Sequence, residues 1–69
     1  MISERTARIY EQHPPRPRDG GQVPTLIELL HEIEVAAKFG LPEDEVRRQL
    51  SVDPELFEAL IGDSGISLH

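Results

Sequence analysis

The sequence predicts an all-α fold, a small module of three helices behind an extended N-terminal arm. Three observations carry this. Apolar residues recur at helical spacing from Val23 to Ile61. Three helix-start signals, at Thr25, Pro42 and Asp53-Pro54, follow one another at short intervals, with Gly40 and Gly62 as stops. And 69 residues without a cysteine leave room for one small core and no disulfide staple or zinc knuckle. A core of this size alone seldom supplies more than about 3–5 kcal/mol, which makes oligomerisation the remaining stabiliser.

The arm covers residues 1–23. It opens with a short helical pattern from Ser3 to Gln12, in which Ile2, Thr6, Ile9 and Tyr10 share a side and Ser3 can cap. Its next stretch, His13-Pro14-Pro15-Arg16-Pro17-Arg18-Asp19-Gly20-Gly21, favours extended backbone and then a free change of direction. The Pro14-Pro15-Arg16-Pro17 run contains a PxxP pattern, read here as linker.

The helical module covers residues 24–62, with helices at about 25–39, 42–50 and 54–61. Thr25-Leu26-Ile27-Glu28 has the capping-box form, and Gly40 followed by Leu41 is a left-handed stop with an apolar residue to pack back. Pro42 suits the first position of the second helix. Glu43, Asp44 and Glu45 complement its positive end, and Arg47 and Arg48 its negative end, with Glu43–Arg47 and Asp44–Arg48 as i,i+4 pairs. Asp53-Pro54-Glu55 starts the third helix, whose apolar residues are Leu56, Phe57, Leu60 and Ile61, with Gly62 as its stop. The tail, residues 63–69, alternates weakly at Ile66 and Leu68, a frayed end or short edge strand.

On the first long helix, Leu26, Leu30, Ile33 and Ala37 form one apolar stripe with the 4-3-4 spacing of a coiled-coil seam. Val35 and Phe39 lie on the opposite side, a second apolar edge. Three short helices cover two sides of such a rod only with difficulty, so a homodimer is expected, with Leu26, Leu30, Ile33 and Ala37 as its seam. The alternative is that Ile2, Ile9 and Tyr10 of the arm fold over the spare face.

Between Val35 and Leu50 the chain resembles the helix-turn-helix signature. The matching positions are the small Ala36, the turn residue Gly40, the apolar Leu41 and the apolar Val46, within 16 of the 69 residues. The resemblance implies a tri-helical domain whose base-reading helix is Pro42 to Leu50, with Pro42, Glu43, Asp44, Arg47 and Arg48 toward the groove. The chain departs from that pattern in placing three consecutive acidic residues where phosphates and base edges would approach. A DNA-binding version would need phosphate contacts from Arg5, Arg8, Arg16 and Arg18 of the arm, with the Arg16-Pro17-Arg18 stretch entering a minor groove.

Charge argues in the same direction. Residues 1–18 carry +2 and residues 19–69 carry −8, a basic arm on an acidic body with a net −6 that repels phosphate backbones and anionic lipid heads. Met1 to Tyr10 carries Glu4, Arg5 and Arg8 where a signal peptide would be apolar, and no apolar run approaches the roughly 18 residues of a membrane span; a cytoplasmic protein is expected. His31-Glu32 begins a His-Glu-x-x-His metal motif, but Val35 stands where the second histidine belongs, and His13 and His69 lack ligand spacing. No metal or cofactor is implied. The Glu43-Asp44-Glu45 carboxylates have a structural reason at a helix start, so no catalytic residue and no small-molecule substrate are assigned.

The expectation is a non-enzymatic acidic regulator that binds and modulates a protein with a basic surface, with inhibition of a DNA-binding protein or transcription factor as the favoured mode. Glu43, Asp44, Glu45, Arg47 and Arg48 form its contact face, and Phe57, just off the Leu56–Leu60 line, is an aromatic anchor. The alternative is a dimeric helix-turn-helix regulator reading DNA through Arg16, Arg18, Arg47 and Arg48.

Overall fold

The computed structural model describes residues 2–66. Among them are four helices and no strand: α1 (Glu4–Gln12), α2 (Leu26–Lys38), α3 (Glu43–Leu50) and α4 (Pro54–Ser64). The fold is all-helical, as the apolar spacing predicts, but it has one helix more than the three expected of the body.

Each start has a local cause. The Ser3 hydroxyl accepts from the Thr6 amide to cap α1, the Thr25 hydroxyl accepts from the Glu28 amide to cap α2, and the Asp53 carboxylate accepts from the Glu55 amide to cap α4. The capping box at α2 is half made, since the Glu28 carboxylate meets the Thr25 hydroxyl at 3.4 Å. Pro42 is the cap of α3 in extended backbone rather than its first helical residue, and it offers its carbonyl to the Glu45 and Val46 amides. With no side-chain cap, this eight-residue helix depends on packing, through buried Val46 and Leu50.

The α2–α3 connection is a tight double-bonded turn. Gly40, at φ +75°, donates to the Ala37 carbonyl while Leu41 donates to that of Ala36, and Leu41 packs back against the core. The stop of α4 differs from expectation. The helix runs through Gly62 to Ser64 and ends at Gly65, whose φ of +68° makes it the left-handed residue. Asp63 and Ser64 therefore belong to the helix and not to a tail. Ile66 is half-buried against the core, and the expected continuation at Leu68 lies outside the described residues.

The core is built around α4. Its Leu56, Phe57, Ala59 and Leu60 meet Leu29, Ile33 and Ala36 of α2, Val46 and Leu50 of α3, and Ile9 of α1. Leu26, Leu30, Ile33 and Ala37, read from the sequence as a dimer seam, therefore line the inside of the protomer. Ile33 is fully buried, Leu26 and Leu30 pack against the core and Ala37 is half-buried. The stripe was real, but α4 occupies it.

The arm is not a free extension. α1 packs against α4. Its Thr6, the one buried polar side chain among the described residues, donates to the Asp63 carboxylate at 2.5 Å, and the same oxygen accepts from the Ser3 amide at 2.8 Å and the Ser3 hydroxyl at 3.2 Å. Beyond α1, the Tyr10 hydroxyl donates to the Pro24 carbonyl at 2.6 Å, Pro15 and Pro24 are buried, and residues 18–22 close a turn through Arg18 and Gln22. The radius of gyration, 11.2 Å, equals the about 11 Å of a fully compacted chain of this length.

Candidate interaction surface

Three surface regions carry the residues that the sequence singles out. The first is the start of α3. Glu43, Asp44, Arg47 and Arg48 are exposed and Glu45 is half-buried. Arg47 lies 3.9 Å from Glu43 and Arg48 lies 3.7 Å from Glu45. The pairing thus follows i,i+4 for Glu43, but Arg48 chooses Glu45 at i,i+3 over Asp44. Among the described residues Asp44 has no ion-pair partner. Such exposed pairs are weak, so the face remains adjustable to a partner.

Phe57 stands apart from this group. It is fully buried, the largest side chain of the core, with the Arg47 guanidinium 5.1 Å above its ring. It has no surface to offer a partner, and its anchor role is withdrawn. Its position just off the Leu56–Leu60 line is a core position, with Arg47 of α3 over its ring.

The second region is the arm. Arg18 grips Glu32 of α2 with both ends of its guanidinium, at 2.9 Å each. The hydrogen bond to Glu32 raises the Arg18 pKa against the opposing effect of burial, and the charges of Glu32 and Glu28 add to it. Arg18 is thereby fastened to the body, while Arg16 is exposed beside the turn between α3 and α4. The two arginines that would share a minor groove are in different settings.

The third region is the outer side of α2. Ile27 is 73% and Phe39 76% exposed, and Val35 and His31 are exposed between them. The four are spaced exactly four residues apart, one continuous row on the side of the helix opposite Leu29 and Ile33. Grooves flank this row, one of them running toward Leu41 and Gln49 of the α3 side. Val35 and Phe39 are legible in the sequence as a spare apolar edge. Ile27 is not, because it sits beside Leu26 in an apolar run, yet its place one turn before His31 is the signal that extends the edge to the helix start.

Among the described residues no group of three His, Asp or Glu side chains could hold a metal ion, and no helix is long and apolar enough to cross a membrane. Compared with known proteins, the chain matches no protein family, no curated protein and no solved structure. What its surface does must therefore follow from its own residues.

Proposed function

We propose that this chain is a non-enzymatic interaction module that binds a protein with a basic surface and modulates it by covering that surface. The observation that carries this reading is the fate of the cations. Of seven Lys and Arg residues, Arg18, Arg47 and Arg48 are engaged with Glu32, Glu43 and Glu45, respectively, of the same chain. Exposed carboxylates such as Glu34, Asp44, Glu55 and Glu58 are left to set the field that a partner meets. Nucleic-acid-binding faces are the commonest strongly basic protein surfaces, so a transcription factor or other DNA-handling protein, inhibited by competition with DNA, is the partner class favoured. The carboxylates of Glu43, Asp44 and Glu45 and the movable Arg47 and Arg48 are its contact face.

A second reading, a helix-turn-helix regulator using Arg16, Arg18, Arg47 and Arg48, is favoured by one feature, the tight glycine turn joining α2 to α3. It would require Arg18, Arg47 and Arg48 to leave their carboxylates for phosphates. Titration of generic duplex DNA at low and near-physiological salt separates the two. The first reading expects no salt-sensitive binding, and expects a partner captured from lysate to bind more weakly, with a shallower salt dependence, once Glu43, Asp44 and Glu45 are replaced by uncharged amides. DNA binding that weakens steeply with salt would overturn it in favour of the second.

A further inference from the structure

We propose that the outer row of α2 is a self-association seam, on which a second copy of this chain packs its own α2 antiparallel through Ile27, His31, Val35 and Phe39. The proposal concerns a different surface from the α3 face and does not depend on the identity of any basic partner.

The row is a single i,i+4 ridge about 18 Å long, from Ile27 in the first turn of α2 to the capping residue Phe39. Ridges of this kind interdigitate with their equals when helices cross at about −50°, the commonest helix-packing geometry. The row is also symmetric about its midpoint. A two-fold axis between His31 and Val35 sets Ile27 of one copy against Phe39 of the other and His31 against Val35, so the two largest exposed apolar side chains cover each other. The same operation brings Glu28 to the level of Lys38 of the second copy, and does so twice. Both flanking residues are exposed. A parallel pair would instead set Glu28 beside Glu28 and Lys38 beside Lys38, so charge selects the antiparallel arrangement.

The protomer leaves this face open and prepares its rim. α1 is fixed on α4 by Asp63, with Ile9 and Tyr10 turned to the core, and is not packed on this face. Near the two-fold axis the Glu32 side chains of the two copies approach along one edge, and each already has its charge neutralised by Arg18. Glu34 approaches its own copy along the other edge without such a partner among the described residues. A row of four residues falls short of the roughly 20–30 residues a side of a standard interface, so the dimer is a weak one, formed in a concentration-dependent way.

Sedimentation equilibrium of the full chain across about three decades of concentration around the micromolar range tests this. The mass is expected to rise from one chain to two. Ile27→Lys and Phe39→Glu, both at exposed positions, should each raise the dimer dissociation constant about tenfold or more while leaving the helical circular dichroism of the dilute protein unchanged. Glu28→Lys alone and Lys38→Glu alone should weaken the dimer, and the two together should restore it. Because the chain has no cysteine of its own, Ile27→Cys and Phe39→Cys should cross-link with each other when mixed and oxidised, and neither with itself. A single-chain mass at every concentration, unaltered association of Phe39→Glu, or self-cross-linking of Ile27→Cys would each overturn the proposal.

Discussion

The two faces of α2 are built from the same residue types and have opposite fates. Leu29, Ile33 and Ala36 on one side are buried against α3 and α4, while Ile27, Val35 and Phe39 on the other remain in water. Hydrophobicity alone does not distinguish them, and for that reason the stripe that the sequence offers as a dimer seam is one the protomer covers itself. What separates them is supply: α4 brings Leu56, Phe57, Ala59 and Leu60 to the inner face, whereas among the described residues no element covers the outer one. An apolar stripe shows that a helix has a partner. Whether that partner is the same chain depends on what the rest of the chain has available.

The comparison can be broken most forcefully at Ile33. Ile33→Ala removes a fully buried side chain from the centre of the core and should cost about 3 kcal/mol, within the usual 2–5 kcal/mol for such truncations. In a chain of this size, whose core seldom supplies more than about 3–5 kcal/mol, this approaches global unfolding. Val35→Ala on the outer face should change the stability of dilute protein by less than about 0.5 kcal/mol. Chemical denaturation of the two variants at low concentration is the check, and equal losses would mean that the faces are not distinct.

A smaller effect is expected where α1 is held away from the outer face. Asp63 is a single carboxylate serving Thr6 and Ser3, and Asp63→Ala leaves the buried Thr6 hydroxyl only the Ser3 hydroxyl, 3.0 Å away, at a cost of about 1–2 kcal/mol. Burial alone would push the Asp63 carboxyl up, but the hydrogen bonds from Thr6 and Ser3 outweigh it and hold the group below its usual range. A lowered folded-state pKa means that its stabilisation is complete above the unfolded value, about 3.9, and is lost as pH falls through the folded one. Asp63→Asn should therefore lose less stability than wild type when thermal melts at pH 7 and pH 3 are compared. If the two proteins lose the same amount, the carboxylate does not hold α1. Release of α1 would also show whether Ile9 and Tyr10 can cover the outer row, a direct test of why that row is exposed.

The order of the helices was legible because their signals are local. Ser3, Thr25 and Asp53 sit where caps are needed, and Gly40 turns where an L-residue would be strained. The stop of α4 was misplaced because two glycines, Gly62 and Gly65, compete for it. Gly62 continues the helix so that Asp63, one residue on, can face α1, a long-range requirement with no local mark. The contact across 60 residues between Ser3 and Asp63 is likewise invisible to periodicity, which is why α1 looked like part of an arm. Of the candidate site, the charges of α3 and the Glu43–Arg47 pair were legible, whereas Arg48 meeting Glu45 rather than Asp44, and Phe57 lying in the core beneath Arg47, follow from packing.

Thr25→Ala should fall next in size. It removes the hydroxyl that caps α2 and so weakens both faces at once, by about 1 kcal/mol, without altering which of them is exposed. A calorimetric melt with an unchanged dimer dissociation constant is the expected pairing; a loss of association larger than the loss of stability would mean that the frayed first turn had carried Ile27 out of the row.

The smallest effect belongs to the boundary between the faces, where Arg18 ties the arm to Glu32. Both side chains are more than a third exposed, 40% and 36%, so solvent screens the pair and Arg18→Ala should cost under about 1 kcal/mol of folding stability, less at high salt. Its effect on association should be out of proportion to that. Without Arg18, the Glu32 carboxylates of two copies face each other unpaired near the two-fold axis, and the dimer should weaken measurably at low salt and recover as salt screens the repulsion. Glu32→Gln removes the same carboxylates and should leave the dimer intact at both ionic strengths. If Arg18→Ala and Glu32→Gln weaken association alike, the arm supports the seam by packing rather than by neutralising its edge.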